Sequence, residues 1–491
     1  MSKGHDISDT KEYGLLLSKR TFLGTAVMLF CVMIFAFSLT QIIPTGEYQR
    51  VFTDGREVVV AGSYAETGIT RLPLWRLFTA PFEVFAGPDA MTAIMIILSI
   101  ILIGGVFLIL DKCGLMQYAM RLVIHRFEKR KYVLLAAVTL FCMLLGAGMG
   151  VFEESVVLAP IAVALAISLG WDALVGAGMS LLAVGFGFTA GLFNPFSIGV
   201  AQRLAGLPLF SGLWLRAIVF VVIYGLLLTF LLFYARRIEK DPKKSLTYGI
   251  KTNSVFALSD ETPLSEMDAG ETRRFKRALT FFGICLFVIA IYVACGIFIP
   301  ELTDFVMPVI ALMITIGGIG AGLISGYSGV LRDFGKGIVA LMPSVILIML
   351  ALSVKHIFVS GGIMDTLLLY AYNLVTGSAP LTSLYIVFLF VLGLEFFIGG
   401  ASAKAFLIIP LLAPLAELID LSRQSIVLAF SFGDGFANVI YPTNAVLLIV
   451  LGILGVPYLT WFKWTWKLQA ALVIISIGFL TLAHTVGYGP F

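Results

Sequence analysis

Asn194 and Asn444 stand inside long apolar stretches of this 491-residue chain, one in Phe193–Phe196 (FNPF), the other in Tyr441–Ala445 (YPTNA). A proline there lacks an N–H and clashes with the carbonyl four residues back, so each motif should break a helix. Lipid does not tolerate freed backbone groups, so such breaks line a protein-enclosed polar cavity. Their carbonyls can hold a cation, and a restarting helix offers its N–H groups to an anion. Both asparagines are therefore expected to contact a solute or coupling ion; otherwise their amides only cap the broken ends. Thr443, Ser155 and Ser402 add hydroxyls beside these positions.

Ionisable groups cluster at two glycine-rich tips, Gly146–Ser155 (GAGMGVFEES) and Gly399–Ala405 (GGASAKA). A charge at the bilayer centre costs about 2.5–3.5 kcal/mol even on the lenient insertion scale, so Glu153, Glu154 and Lys404 are expected to serve function or pair with one another. Lys404 suits a carboxylate. The glutamates suit an amino group, a proton or Na+, and together the three suit a zwitterion; a Glu154–Lys404 bridge that only stabilises one state is the alternative. Asp434, with Asn438 one turn later on the same helix face, is a candidate cation-ligating pair, or else a packing device. Coupling is thus expected of Glu154, Asp434 and Asn438, with Na+ near Asn194 and Asn444 or with H+. Glu395, in the arm before the second tip, stands behind these as a candidate.

Other chemistries lack their residues. Phe430–Asn438 (FSFGDGFAN) approaches the GxGD of intramembrane aspartyl proteases, but Ser431 stands where glycine is required. The four histidines form no HExxH, and no GxxxxGK[ST] occurs. Five cysteines show neither CxxC nor paired spacing. A net charge of +4, with its basic residues scattered through loops, leaves no nucleic-acid footprint. Neither an enzyme nor a cofactor is expected.

Composition dictates what positions these residues. Hydrophobic residues make up 59% and charged residues 13%, half the usual charge of a soluble domain. The excess apolar surface must face lipid, so the chain reads as an all-α polytopic membrane protein. About 20 apolar residues cross the hydrocarbon core. Spans are expected at Thr21–Ile43, Met91–Leu110, Leu213–Tyr234, Ala278–Ile299, Phe305–Ser325, Lys336–Val359 and Lys467–His484. A hairpin signal surrounds Asp54-Gly55, and the six tryptophans fall near segment ends as interfacial anchors.

Two hairpins with arms of about 15 residues, too short to span at 1.5 Å per residue, fit residues 131–172 and 381–420. Broken spans follow at 174–200 and 424–450. With the N-terminus cytoplasmic and the C-terminus external, 24 Lys and Arg fall inside and eight outside, as the positive-inside rule requires. At an offset of 250, Gly150 meets Gly400, Pro160 meets Pro410, Gly185-Phe186 meets Gly435-Phe436, and Asn194 meets Asn444. The expected organisation is a cytoplasmic tail 1–20, a first inverted repeat 21–235, a cytoplasmic linker 236–277, a connecting span 278–299 and a second inverted repeat 305–484. Inverted repeats are the build of many secondary transporters.

The segments EESVVLAPIAVALAISLGWD, NPF with AQRLAGLPLFSG, FSFGDGFANVIYPTNAV and IPTGEY…GREVVVAGSY resemble the YfcC branch of the C4-dicarboxylate anaerobic carrier (DcuC-like) family. The resemblance implies the ion-transporter superfamily: a scaffold domain, a transport domain with two opposed re-entrant hairpins, homodimers and elevator-like movement in the inner membrane. It also implies that Glu153, Glu154, Ser155, Ser402 and Lys404 flank the substrate, beside Asn194 and Asn444. Lys404 departs from the neutral residue expected at that tip. The expected function is ion-coupled or exchange transport of a small carboxylate-bearing metabolite, a C4-dicarboxylate or an amino acid. The alternatives are a basic amino acid exchanger and, more remotely, a passive channel or a non-transporting ligand sensor.

Overall fold

The structure is a computed structural model that describes residues 19–53, 56–60, 62–67, 71–87, 90–119, 122, 130–150, 152, 155–248, 269–298 and 306–489. The tail 1–18, linker residues 249–268, and Glu153 and Glu154 lie outside the described residues. The chain is mainly helical. Among the described residues, five helices are long and apolar enough to cross a membrane, or six if one bent pair counts as a single span.

Helix α1 (Lys19–Ile42) leads into four short strands, β1 (Gly46–Glu47), β2 (Arg50–Thr53), β3 (Arg56–Val59) and β4 (Ala65–Glu66). β2 pairs antiparallel with β3, and β1 with β4. Arg50 grips Asp365 with bonds of 2.8 and 2.9 Å, which ties this loop to the second half of the chain. Then come α2 (Arg76–Glu83), α3 (Ala90–Lys112), α4 (Lys131–Met149) and α5 (Ser155–Ser168). The first broken helix is α6 (Ala173–Ala190), which contains a π turn at Gly178–Leu182. It stops at Gly191, whose φ of 48° ends the helix and returns its N–H to the Gly187 carbonyl. A second π turn, Pro195–Gly199, restarts it into α7 (Val200–Leu204).

Helix α8 (Leu213–Lys240) completes the first half. Asp172, which caps α6 through the Val175 N–H, also accepts hydrogen bonds from Tyr234, Ser245 and Thr247, so the start of the linker is pinned to this helix end. After the linker come α9 (Ala269–Phe298), α10 (Val306–Ile324), α11 (Val330–Ala340), α12 (Met342–Ser360) and α13 (Met364–Thr376). The sequence predicts a span at Lys336–Val359. The structure bends by 43° between α11 and α12, where Pro343 in the first turn of α12 supplies no N–H to continue the ladder.

The second hairpin is α14 (Pro380–Leu394) and α15 (Ala401–Leu418). The second broken helix is α16 (Arg423–Ala437), a gap at 438–444, and α17 (Ala445–Leu454); α18 (Tyr458–Thr485) follows. Arm lengths depart from expectation in the first hairpin. α4 has 19 residues, about 28 Å at 1.5 Å per residue, and is long and apolar enough to cross.

Packing divides the molecule. α3 packs with α10 and α11, and α9 with α10. Small residues allow this: a Cβ on Gly318 would lie 2.3 Å from Val106 Cγ1, and one on Gly320 2.3 Å from Phe281 Cε1. Around the other centre, α4 packs along α6 and α14 along α16, while α5 meets α17 and α15 meets α7. Each outer arm thus lies on its own broken helix, and each inner arm touches both its own broken helix and the far segment of the opposite one.

The crossing of α6 and α16 is reciprocal at single residues. Gly185 faces Val439, Gly435 faces Thr189, and Phe186 meets Phe436 edge-on at 6.2 Å. Adding 250 to 185 and 189 gives 435 and 439, so the contacts exchange under the repeat offset. This is the signature of segments related by a two-fold axis. α6 and the described length of α16 from Gln424 onward are fully enclosed by protein.

Candidate functional site

Each break lies against the opposite broken helix beside that crossing, Gly191 approaching Ser431 and Val439 approaching Gly185. At the first, the Asn194 side chain is fully buried and its Oδ1 accepts the Ser197 N–H at 3.2 Å. At the second, Asn444 Oδ1 accepts the Leu447 N–H at 3.2 Å, and its Nδ2 donates to Asn438 Oδ1 at 2.9 Å. Both asparagines therefore cap the restarting segment, which gives each interrupted ladder a side-chain acceptor.

The stranded carbonyls are met by the helix after each break. Arg216, on α8 and 1% exposed, donates to the carbonyls of Leu192 (3.3 Å) and Phe210 (3.1 Å). On α18, Trp461 donates to Val439 and Tyr458 to Ile440, both at 2.7 Å. Trp461 is completely buried, so it braces the second break instead of anchoring the chain at an interface.

Charge gathers at the second hairpin. Lys404, in the first turn of α15, is completely buried and forms ion pairs with Glu395, just beyond the end of α14, and with Asp434 on α16. Its Nζ is 2.7 Å from Asp434 Oδ1, while Asp434 Oδ2 accepts the Ser197 hydroxyl at 3.2 Å. One carboxylate thus joins the second hairpin to the first break. With both acid side chains 1% exposed, the three ions carry one net negative charge inside the protein.

Several expectations change against this geometry. Lys404 pairs with Glu395 and Asp434; Glu154, its partner in the alternative reading of the sequence, lies with Glu153 outside the described residues. The cation at Asp434 is the lysine ammonium. Asn438 turns away from that carboxylate, donating to the Asp434 and Gly435 carbonyls, so the pair does not converge on one ion. Ser155 is buried at the start of α5 with no partner for its hydroxyl, while Ser402 and Thr443 are half-buried near the second tip and break. Ser197, Arg216, Tyr458 and Trp461 escape a reading of the sequence. Only Arg216, a cation a few residues into an apolar run, leaves a trace there. Among the described residues no group of three His, Cys, Asp or Glu could hold a metal ion.

Apolar helices, paired breaks and buried ions belong to a polytopic membrane protein of the transporter class. The chain belongs to the C4-dicarboxylate anaerobic carrier family, DcuC, which it matches over residues 23–485. It is 28% identical, over 94% of its length and 96% of the relative's, to the Escherichia coli (strain K12) protein named "Putative basic amino acid antiporter YfcC". An uncharacterized protein of Haemophilus influenzae is 24% identical over 93% of this chain and 95% of its own. Two solved structures align at a TM-score of 0.42 and 17% identity. One is the Alcanivorax borkumensis YdaH transporter, over 95% of this chain and 98% of that one. The other is Neisseria gonorrhoeae MtrF, described with a class of antimetabolite efflux pumps, over 93% and 94%.

Proposed function

We propose that this protein is a secondary active transporter of a small carboxylate-bearing metabolite, an amino acid before a C4-dicarboxylate, driven by ion coupling or exchange. The supporting observation is the buried Glu395–Lys404–Asp434 cluster where hairpin and break meet. Ions at this depth are costly unless they serve transport or pair fully, and here two acids face one base. An excess of negative charge suits a solute that brings an ammonium as well as a carboxylate. The N-terminus of α15 offers N–H groups for the carboxylate. The name of the Escherichia coli relative points the same way, and makes basic amino acid exchange the sharper form of the reading. The family's description and Lys404 favour the C4-dicarboxylate as second reading. In both, the two hairpins and broken helices move together as an elevator-like unit in the inner membrane, within a homodimer, with the N-terminus cytoplasmic.

Purified protein in liposomes decides between them. Arginine, alanine and succinate are offered outside, with and without counter-loaded solute and with Na+ or pH gradients. Accumulation of arginine or alanine above equilibrium supports amino acid transport, and accumulation of succinate alone supports the second reading. Downhill leak that no gradient can drive uphill, or binding without flux, overturns both.

A further inference from the structure

Glu395 and Lys404 bracket one tip, between α14 and α15, whereas Asp434 belongs to α16. The Lys404–Glu395 pair is therefore internal to the hairpin, and the Lys404–Asp434 pair joins two elements. Resting on the transport reading above, we propose that Glu395 is the group that enforces exchange. It keeps Lys404 neutralised while Asp434 is handed to a cationic group of the cargo, so each crossing requires one net positive charge.

The charge count carries the argument. With Lys404 on Glu395, a monocationic amino acid on Asp434 brings the cluster to zero. Once the cargo leaves, Lys404 is shared between two carboxylates and one negative charge remains buried. Isolated buried charge is strongly unfavourable, so the empty cluster recruits one cation, a proton or Na+, before it crosses. A neutral amino acid would leave the deficit at one, and a dicarboxylate would raise it to three.

The surroundings do not cancel the deficit among the described residues. The Ser197 hydroxyl is neutral and already donates to Asp434. Asn438 is turned to backbone carbonyls and to Asn444, and the Tyr441 hydroxyl to the Leu392 carbonyl. Lys355 on α12 is near enough for its charge to bear on Lys404, and from its half-buried position it offsets the deficit only in part. Arg216 is committed to the Leu192 and Phe210 carbonyls.

The test uses full-length protein in liposomes with radiolabelled arginine as cargo and valinomycin-clamped voltage. Wild type is expected to need an internal cation or arginine, to accumulate arginine uphill, and to respond less than twofold to voltage, because one charge replaces another. Glu395→Gln makes the empty cluster neutral. It also leaves Lys404 to compete with the cargo for Asp434, so arginine uptake is expected to fall, while the uptake that remains no longer needs an internal cation or arginine, does not accumulate at zero voltage and becomes voltage-driven. A Glu395→Gln protein that still requires counter-cargo and ignores voltage overturns the inference, as does voltage-driven uptake by wild type, which stands even if the variant does not fold. Wild-type transport confined to alanine or succinate also overturns it. Wild type that moves none of the three solutes sinks the transport reading instead.

Discussion

The two breaks share a plan and differ in what fills it. In both, an asparagine caps the restarting segment and the following helix reaches back to the stranded carbonyls. The first break is braced by a cation, Arg216, and is otherwise neutral among the described residues. The second is braced by Tyr458 and Trp461, and all three ions of the buried cluster come from its half of the chain. Ser197 joins the first half directly to that cluster. Related frames can thus divide the labour, with one half holding shape and the other holding charge.

The largest expected effect separates charge from frame. Lys404→Met leaves two buried carboxylates facing each other and should destabilise the protein by about 3–5 kcal/mol, whereas Ser155→Ala, which removes a buried hydroxyl with no partner, should be neutral or stabilising. Melting in detergent checks this, and equal melting points would erase the division between halves. A smaller effect compares the braces. Arg216→Met strands two carbonyls and Trp461→Phe one, with expected losses of about 1–3 kcal/mol and about 1 kcal/mol. A larger loss for the tryptophan would show that its packing outweighs its N–H.

The smallest effect lies away from both breaks and serves as a control. At Glu83, burial raises the carboxyl pKa, but the Thr79 hydroxyl, His356 and Arg76 outweigh it and hold the group below its ordinary 4.5. A depressed acid contributes stability that is complete above 4.5 and lost as pH falls through the folded value. Glu83→Gln should therefore melt slightly below wild type at neutral pH, with the gap closing under acid. A gap that persists or widens there would refute the ionic account.

Much of the frame was legible because helix breaking is local. Pro195 and Pro442 declare interruptions in any context, and hydropathy alone announces long apolar helices. The bend at Pro343 was missed because apolar composition runs through it unbroken. The site was legible only by residue type. Lys404 and Asp434 are conspicuous as ions in apolar sequence, but their partnership depends on how α15 and α16 pack. Glu395, 39 residues before Asp434, stood behind the other candidates because no local pattern joins it to either. Trp461 was read as an anchor from its place near a segment end, although its surroundings are protein.

The reciprocal contacts at Gly185 and Gly435 bear on how such a chain can drift. A methyl group on either glycine would fall 2.3 Å from Val439 Cγ1 or 2.2 Å from Thr189 Oγ1. Each half is the surface against which the other fits, so a change at either glycine is met at once by a residue of the opposite half. Elsewhere the halves are free to lose their likeness. At the crossing, likeness between the halves is held by contact, because each paired glycine keeps the room that the opposite half fills.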